Sequence, residues 1–145
     1  MQVHINGVEV IPIKSHYSRG VFREILKTSK HEPINQLNHT IMATGTIKAW
    51  HYHKIQTDYW YIVNGVMMAV LHDTDTKTTQ EFMMGDNYDP FILKIPPMIL
   101  HGLKVIQGPC NMIYGVTHEY NPEDELRLSY NDPEVGYDWF YQEIK

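Results

Sequence analysis

The chain has 145 residues, of which 43% are hydrophobic, and it carries a net charge of −5 with its histidines neutral. This composition predicts one soluble globular domain over residues 1–145, excludes a membrane-spanning segment, and disfavours a general nucleic-acid binder, which would carry a basic surplus. Cys110 is the single cysteine, so no internal disulfide can form. Because the N-terminus also lacks the features of a secretory signal, we expect a cytoplasmic protein.

Short β-type runs separated by turn residues dominate the chain and predict an antiparallel sandwich or barrel, of which the jelly roll is one form. In chain order the predicted strands are Val3–Val10, Gly20–Leu26, Asn35–Ala43, Gly45–His53, Tyr59–Val63, Val66–His72, Gln80–Met84, Phe91–Ile95, Gly102–Ile106 and Asn111–His118. Asn64-Gly65 predicts a hairpin turn, and the polar run Asp73–Lys77 predicts a second turn. Glu123–Leu126 predicts a single helical turn. The aromatic tail after Asn131 is expected to pack on the body of the domain or on a partner subunit.

Histidines and one carboxylate form the most informative pattern of the chain. His51 and His53 are two residues apart on a predicted strand, so both side chains point to one face of the sheet. Asp58 follows five residues later, and His101 comes after a segment restricted by two prolines. Three imidazoles and one carboxylate are suitable ligands for a divalent transition metal such as Zn, Fe, Mn or Ni, and in a barrel they can converge inside. The alternative is that the histidines are ordinary interior residues bonded to their neighbours.

Two short motifs carry a resemblance to the cupin proteins. The pattern G-x5-H-x-H-x4-D-x6-G, from Gly45 to Gly65, resembles the first cupin motif, with Asp58 where cupins usually have Glu. The pattern Pro96-x-Met98-x-x-His101 resembles the second, with Met98 in place of a glycine. This resemblance implies a cupin-type jelly-roll β-barrel (a double-stranded β-helix) with a metal held by the residues of the two motifs.

A narrower resemblance covers nearly the whole chain. The segments INGVEVIPIKSHYSRGVFREI, NQLNHT, IKAWHY, IPPMILHG, MIYGVTHEYNPEDE and YNDPEVGYDW resemble those of dTDP-4-dehydrorhamnose 3,5-epimerases, which also have the cupin fold. The resemblance implies an isomerase that inverts carbons next to the ketone of a nucleotide-linked 4-keto-6-deoxyhexose. It places His51 on the catalytic base, Tyr114 on the general acid and His101 among the catalytic residues. Positions that hold the nucleotide fall on Arg19, Glu24, Gln36, Asn38 and Lys48.

The departures from this family concern the chemistry of the cavity. The family lysine that stabilises the enolate falls on Asp58, and the glutamine two residues after the base falls on His53. The aspartate that pairs with His101 in the family falls on Ala69, and the aspartate that orients the base would lie beyond Lys145. Because His53 and Asp58 are also the residues that complete a cupin metal site, we interpret the chain as an epimerase-like fold whose cavity has acquired the ligands of a metal site.

Two mechanisms then compete for His51. As a base, His51 removes the proton next to the ketone and Tyr114 returns one on the opposite face. As a metal ligand, His51 has no free lone pair, and the metal polarises the ketone instead. Taken alone, Tyr114 would be a core aromatic, and Arg19, Glu24 and Lys48 would be surface charges.

We predict a homodimer that pairs strands or exchanges its N-terminal segment, acting on a nucleotide sugar in polysaccharide or glycoside biosynthesis. No organic cofactor, nucleic-acid partner or membrane partner is expected. A metal-dependent cupin enzyme acting on another small molecule and a catalytically inactive sugar-nucleotide binding module are the alternatives.

Overall fold

The computed structural model describes residues 1–141, and its regular structure is almost entirely β. The strands are β1 (Glu9–Pro12), β2 (Ser15–Tyr17), β3 (Val21–Arg23), β4 (Gln36–Met42), β5 (Ile47–Tyr52), β6 (Asp58–Asp73), β7 (Thr78–Gly85), β8 (Phe91–Ile95), β9 (Leu100–Val116) and β10 (Leu126–Arg127). Two single-turn 3-10 helices cover Thr28–Lys30 and Pro122–Asp124. Within residues 1–141, neither helix has the length and apolar character that crossing a membrane requires.

The long strands β6 and β9 pair antiparallel along most of their length, and each contributes to two half-sheets. Half-sheet I has the order β1-β8-β6-β9-β4 and uses the first part of β6 and the second part of β9. Half-sheet II has the order β7-β6-β9-β5-β10 and uses the remaining parts of both long strands. Strands β2 and β3 form a separate hairpin. This arrangement confirms the predicted all-β jelly roll.

The predicted hairpin at Asn64-Gly65 is wrong, because β6 continues through these residues. The register of the β6–β9 pair shifts around them, so the chain bends from one half-sheet into the other without reversing. Gly65 has φ +87°, and a Cβ there would lie 2.7 Å from the carbonyl oxygen of Pro109. A glycine is therefore needed for the bend as much as it would be for a tight turn.

Other strand boundaries also differ from the prediction. The two predicted strands Gly102–Ile106 and Asn111–His118 are parts of the single strand β9. The predicted strand Val3–Val10 begins only at Glu9, since the residues before it form a turn, and Gly20–Leu26 is a strand only at Val21–Arg23. The turn after Asp73 is confirmed, and the predicted helical turn near Glu123 is the second 3-10 helix.

The main core lies between the two half-sheets. Along β6 the inward side chains are Trp60 and Ile62 before the bend, and Met67, Ala69 and Leu71 after it. Inward-pointing residues thus have even numbers before the bend and odd numbers after it, because the irregular segment inserts one extra residue into the alternation. Asp58 lies two residues before Trp60 on the same strand, so this buried carboxylate also points between the half-sheets.

Part of the aromatic tail packs on the body of the domain, which was one of the two predicted alternatives, whereas Phe140 and Tyr141 are exposed. Trp139 is only 2% exposed and lies 5.1 Å from Trp50, measured between ring centroids. Tyr137 contacts the same pair of rings and donates a hydrogen bond of 2.8 Å to Glu81. These two tail residues therefore cover the outer face of half-sheet II, on the side away from the main core.

Candidate active site

A cavity of about 870 Å³ opens between the two half-sheets, and its wall carries most of the polar residues that the sequence singled out. The walls come from β4, β5, β6 and β9 together with the segment that leads into β10. The predicted site residues that line it are Gln36, Asn38, Lys48, His51, His53, Asp58, His101 and Tyr114. Eight of the ten predicted site residues are thus brought together by the fold.

The histidines reach the cavity because of strand pairing and alternation. His51 lies on β5 directly opposite His101 on β9, and their ring centroids are 6.3 Å apart. His53 follows the end of β5 on the same face, with its ring centroid 5.3 Å from that of His101. Trp50, between them in sequence, points to the outer face of half-sheet II and is fully buried there. The prediction that His51 and His53 share one face is therefore confirmed.

Donor atoms of His53, Asp58 and His101 converge at the inner end of the cavity, all lying within 4.8 Å of one another. The Nε2 atoms of His53 and His101 are each 3.9 Å from an oxygen of the Asp58 carboxylate. Asp58 is 4% exposed and His101 is 5% exposed. We call these three residues the His53–Asp58–His101 cluster. Within the described part of the chain, His51 is outside this set of converging donors.

Backbone carbonyls set the orientation of both cluster imidazoles. Nδ1 of His53 lies 2.7 Å from the carbonyl oxygen of Asp124, and Nδ1 of His101 lies 3.2 Å from that of Ile99. A carbonyl only accepts, so Nδ1 carries the hydrogen in each ring. In the neutral tautomer the lone pair is then on Nε2, the atom that faces Asp58.

The Asp58 carboxylate is held by two side-chain donors. Gln56 donates to Oδ1 over 2.8 Å, and the indole of Trp60 donates to Oδ2 over 3.2 Å. These bonds hold the carboxyl group in place with its oxygens directed at the two Nε2 atoms.

Burial controls the protonation of the other groups in the cavity. It lowers the pKa of His101 to about 4 and also lowers the pKa of His51, to which the nearby Arg127 guanidinium contributes. Burial, followed by the negative charges of Asp58 and Glu125, raises the pKa of Tyr114. Near neutral pH the imidazoles of His51 and His101 are therefore neutral, and the phenol of Tyr114 is protonated.

Asp124, which no sequence pattern indicated, lies behind the cluster and supports it. Its carboxylate accepts hydrogen bonds from the backbone N–H groups of Lys54 over 2.6 Å, Gln56 over 3.3 Å and Ile55 over 3.4 Å. Its own carbonyl accepts from His53. Asp124 thus joins the turn after β5 to a segment about 70 residues further along the chain, a contact that no local pattern indicates.

Three further cavity residues were missed, namely Tyr120, Glu125 and Arg127. Arg127 pairs with Glu125 at 2.7 Å, and the Tyr120 hydroxyl donates to the same carboxylate over 3.0 Å. Hydrogen bonding from Arg127 lowers the pKa of Glu125. Because β10 pairs with β5, Arg127 lies directly beside His51. The site therefore includes a cation next to the predicted base.

The residues predicted to hold a nucleotide divide into two groups. Gln36, Asn38 and Lys48 line the cavity, and the Gln36 amide donates to Asn38 over 2.8 Å. Arg19 and Glu24 lie outside the cavity of this chain. Arg19 is exposed in the β2–β3 turn, and Glu24 forms an exposed ion pair with Lys27.

Comparisons with known proteins agree with this architecture. The family model described as dTDP-4-dehydrorhamnose 3,5-epimerase matches residues 2–145. The spore coat polysaccharide biosynthesis protein SpsL of Bacillus subtilis (strain 168) is 35% identical over 146 residues, covering 93% of this chain and 96% of SpsL.

Solved structures show the same fold at lower identity. The epimerase RmlC from Legionella pneumophila Philadelphia 1, in complex with dTDP-4-keto-L-rhamnose, is 22% identical with a TM-score of 0.87, covering 99% of this chain and 84% of its own. The sugar 3,4-ketoisomerase QdtA from Thermoanaerobacterium thermosaccharolyticum, in complex with TDP, is 16% identical with a TM-score of 0.76, covering 91% and 94%. The family match over almost the full chain and the close similarity to SpsL show that this chain belongs to the dTDP-4-dehydrorhamnose 3,5-epimerase family, which is of the isomerase class.

Proposed function

We propose that this protein epimerises or isomerises a nucleotide-linked 4-keto-6-deoxyhexose by moving a proton at a carbon next to the ketone. Family membership supports the reaction class, and similarity to SpsL supports a role in polysaccharide biosynthesis. RmlC from Legionella, with the same fold, was solved with a dTDP-linked keto sugar. A cavity of about 870 Å³ is within the usual range for small-molecule sites.

The position of His51 relative to Tyr114 is the observation that carries this proposal. His51 lies on β5 of half-sheet II, and Tyr114 lies on the part of β9 that belongs to half-sheet I. The two side chains therefore enter one cavity from different walls. A base and an acid on different sides of a substrate carbon are what an inversion requires.

The chemical step uses these two groups in order. The neutral His51 imidazole takes the proton from the carbon next to the ketone, and the electron pair of that C–H bond moves into an enolate whose charge lies on the former ketone oxygen. The protonated Tyr114 hydroxyl then returns a proton to the carbon from the other side, which re-forms the ketone. The His51 imidazolium and the Tyr114 phenolate regain their starting protonation by proton exchange with solvent. The product differs from the substrate only in the configuration at that carbon.

Cations of the cavity are suited to the anionic parts of such a substrate. Lys48 and Arg127 both line the cavity, and the guanidinium can bind phosphate oxygens in a bidentate manner. Gln36 and Asn38 supply amide groups for the base or the sugar. We assign nucleotide binding to these four residues.

The assignment of Arg19 and Glu24 to the nucleotide requires a second copy of the chain. Both lie outside the cavity, near a β2–β3 hairpin whose Phe22 is exposed. On the open edge of half-sheet I, β4 exposes Leu37 and Ile41. We propose a homodimer in which these surfaces are covered and the hairpin of one protomer reaches the cavity of its partner.

The free, buried Cys110 is consistent with action in the cytoplasm.

Deuterium exchange from solvent tests the proposed reaction directly. Incubation with dTDP-4-keto-6-deoxyglucose in D₂O should introduce deuterium next to the ketone, measured by mass spectrometry and NMR. His51→Asn should abolish the exchange, and Tyr114→Phe should slow the formation of inverted product more than the exchange itself. Replacement of the exposed N-terminal His4 by Asn serves as the matched control and should have no effect. Full exchange by His51→Asn would refute the assignment of the base.

A further inference from the structure

The structure assigns a divalent transition-metal site to His53, Asp58 and His101. The site is distinct from the proposed base and acid, and it does not depend on the proposed reaction. Two imidazole nitrogens and one carboxylate oxygen form a ligand set suited to ions such as Zn²⁺ or Fe²⁺. Their donor atoms lie within 4.8 Å of one another.

The distances within the cluster favour an ion over a direct contact. Each Nε2 is 3.9 Å from an Asp58 oxygen, which is too long for a hydrogen bond. Ligand bonds of about 2.0–2.1 Å in a tetrahedral arrangement place donor atoms roughly 3.3 Å apart. Small side-chain movements are therefore enough to bring the three donors onto one ion.

Ring orientation is the second and independent observation. The Nδ1–H groups of His53 and His101 donate to the carbonyls of Asp124 and Ile99, which leaves the Nε2 lone pair of each ring on the side of the cluster. The Nε2 atom of His53 is also 3.5 Å from the amide nitrogen of Gln56, a long contact that an incoming ion would replace. Metal-ligating histidines almost always donate their other ring N–H to an acceptor of this kind. Gln56 and Trp60 orient the carboxylate in the same way.

Burial and access complete the argument. Asp58 and His101 are nine-tenths or more buried, so an ion there would be held away from bulk water. The cluster also lines the cavity, so any coordination position of the ion that no protein atom fills would be open to a molecule bound in that cavity. Three protein ligands with an open position are typical of catalytic metal sites, whereas structural zinc sites have four protein ligands.

His51 is the residue that distinguishes this site from a four-ligand one. It lies opposite His101 on the neighbouring strand, but its donor atoms do not join the convergent set within residues 1–141. On this three-ligand assignment His51 keeps its free lone pair, so the two roles that the sequence placed on His51 fall on two neighbouring sites. One site moves a proton, and the other holds a cation beside it.

Metal binding itself is the measurement that tests this inference. Tag-free protein, first stripped with a chelator, is titrated with Co²⁺ while its visible absorption is recorded, and Zn²⁺ is then added in competition. We expect one Co²⁺ per chain with the intense bands of a four- or five-coordinate ion, displaced by one Zn²⁺. Elemental analysis of protein purified without metal columns gives the native content. Binding of less than about 0.2 ion per chain would overturn the inference.

Variants separate this site from adventitious binding. His53→Gln and the isosteric Asp58→Asn should each weaken Co²⁺ binding by about 100-fold or more, since loss of even an outer-shell partner costs about 10- to 100-fold. His39→Gln, on an exposed histidine at the rim of the cavity, should leave affinity unchanged, and so should His51→Asn. Loss of metal in His51→Asn, or its retention in His53→Gln, would contradict the three-ligand set.

Two further measurements keep the outcomes distinct. Circular dichroism and urea unfolding of each metal-free variant show whether the fold is intact, so that lost binding is not mistaken for unfolding. Deuterium exchange is measured separately on the stripped and the loaded protein. A protein that exchanges deuterium but binds no Co²⁺ refutes the metal site alone, and a protein that binds Co²⁺ through His53 without exchange refutes the proposed reaction alone.

Discussion

Asp124 offers the sharpest test of how the site is supported, because one buried carboxylate holds a whole turn in place. Replacing it by alanine removes a short charge-assisted bond of 2.6 Å to the N–H of Lys54 and two longer bonds to the next residues. A hydrogen bond to a charged group contributes about 1.5–3 kcal/mol, and the longer bonds contribute less. We expect Asp124→Ala to lower the free energy of unfolding by about 3 kcal/mol.

The same change should also loosen the cluster, because Gln56 and His53 both border the turn that Asp124 holds. We expect Asp124→Ala to weaken Co²⁺ binding by about tenfold, the usual effect of losing an outer-shell partner. Asp124→Asn keeps one acceptor oxygen and should cost about half as much stability as the alanine variant. These two variants separate the hydrogen bonds of the carboxylate from its charge.

Urea unfolding of the metal-free protein, followed by tryptophan fluorescence, measures the expected loss. Glu123→Ala is the matched control, since this neighbouring carboxylate is exposed and belongs to the same 3-10 turn. It should change stability by less than about 0.5 kcal/mol. If Asp124→Ala is no more destabilising than this control, the reasoning about the buried carboxylate is wrong.

Three further predictions concern the body of the domain. Gly102→Ala should lower the free energy of unfolding by about 2 kcal/mol in urea, because its Cβ would lie 2.8 Å from the ring of Trp139. Burial lowers the pKa of His72, so the neutral side chain stabilises the fold above the unfolded pKa of about 6.5, and this stability is lost as the pH falls below that value. Melting temperatures measured against pH should therefore fall less steeply on the acid side in His72→Gln than in the unmodified protein. Burial, followed by the hydrogen bond to Glu81, raises the pKa of Tyr137, so stability should fall above about pH 10, and less so in Tyr137→Phe.

Each of these predictions has a matched control in the chain. Gly20→Ala adds a Cβ with no atom within 4 Å and should be neutral. His16 is exposed, and His16→Gln should leave the loss of stability at acid pH unchanged. Tyr130 is also exposed, and Tyr130→Phe should leave the loss of stability at alkaline pH unchanged. Equal effects of a variant and its control would mean that the contact invoked does not stabilise the fold.

Much of the site could be predicted because it depends on alternation within one strand. His51 and His53 are two residues apart, which is the spacing that places side chains on one face of a sheet. The residues Gln36 and Asn38 follow the same rule on β4, and all four line the cavity. The family resemblance could be identified from local segments for the same reason, since each is a continuous stretch of chain.

The error at Asn64-Gly65 shows the limit of local signals. Gly65 does adopt the positive φ that a tight turn needs, but at a bend within β6. Whether a positive-φ glycine turns a strand back or only bends it depends on the partner strand. Here β9 pairs with β6 on both sides of the bend and keeps the chain running forward.

The amino-acid sequence by itself determined the all-β class, the family and the inward face of β5, because each follows from residue types and spacing along a few neighbouring positions. Tertiary structure alone decided which of these residues meet. It placed Asp124 behind His53 and Arg127 beside His51, across separations of more than 70 residues along the chain. It also left His51 outside the His53–Asp58–His101 cluster. The physical reason is that cross-strand pairing and ring orientation depend on backbone partners distant in the chain, which local pattern does not encode.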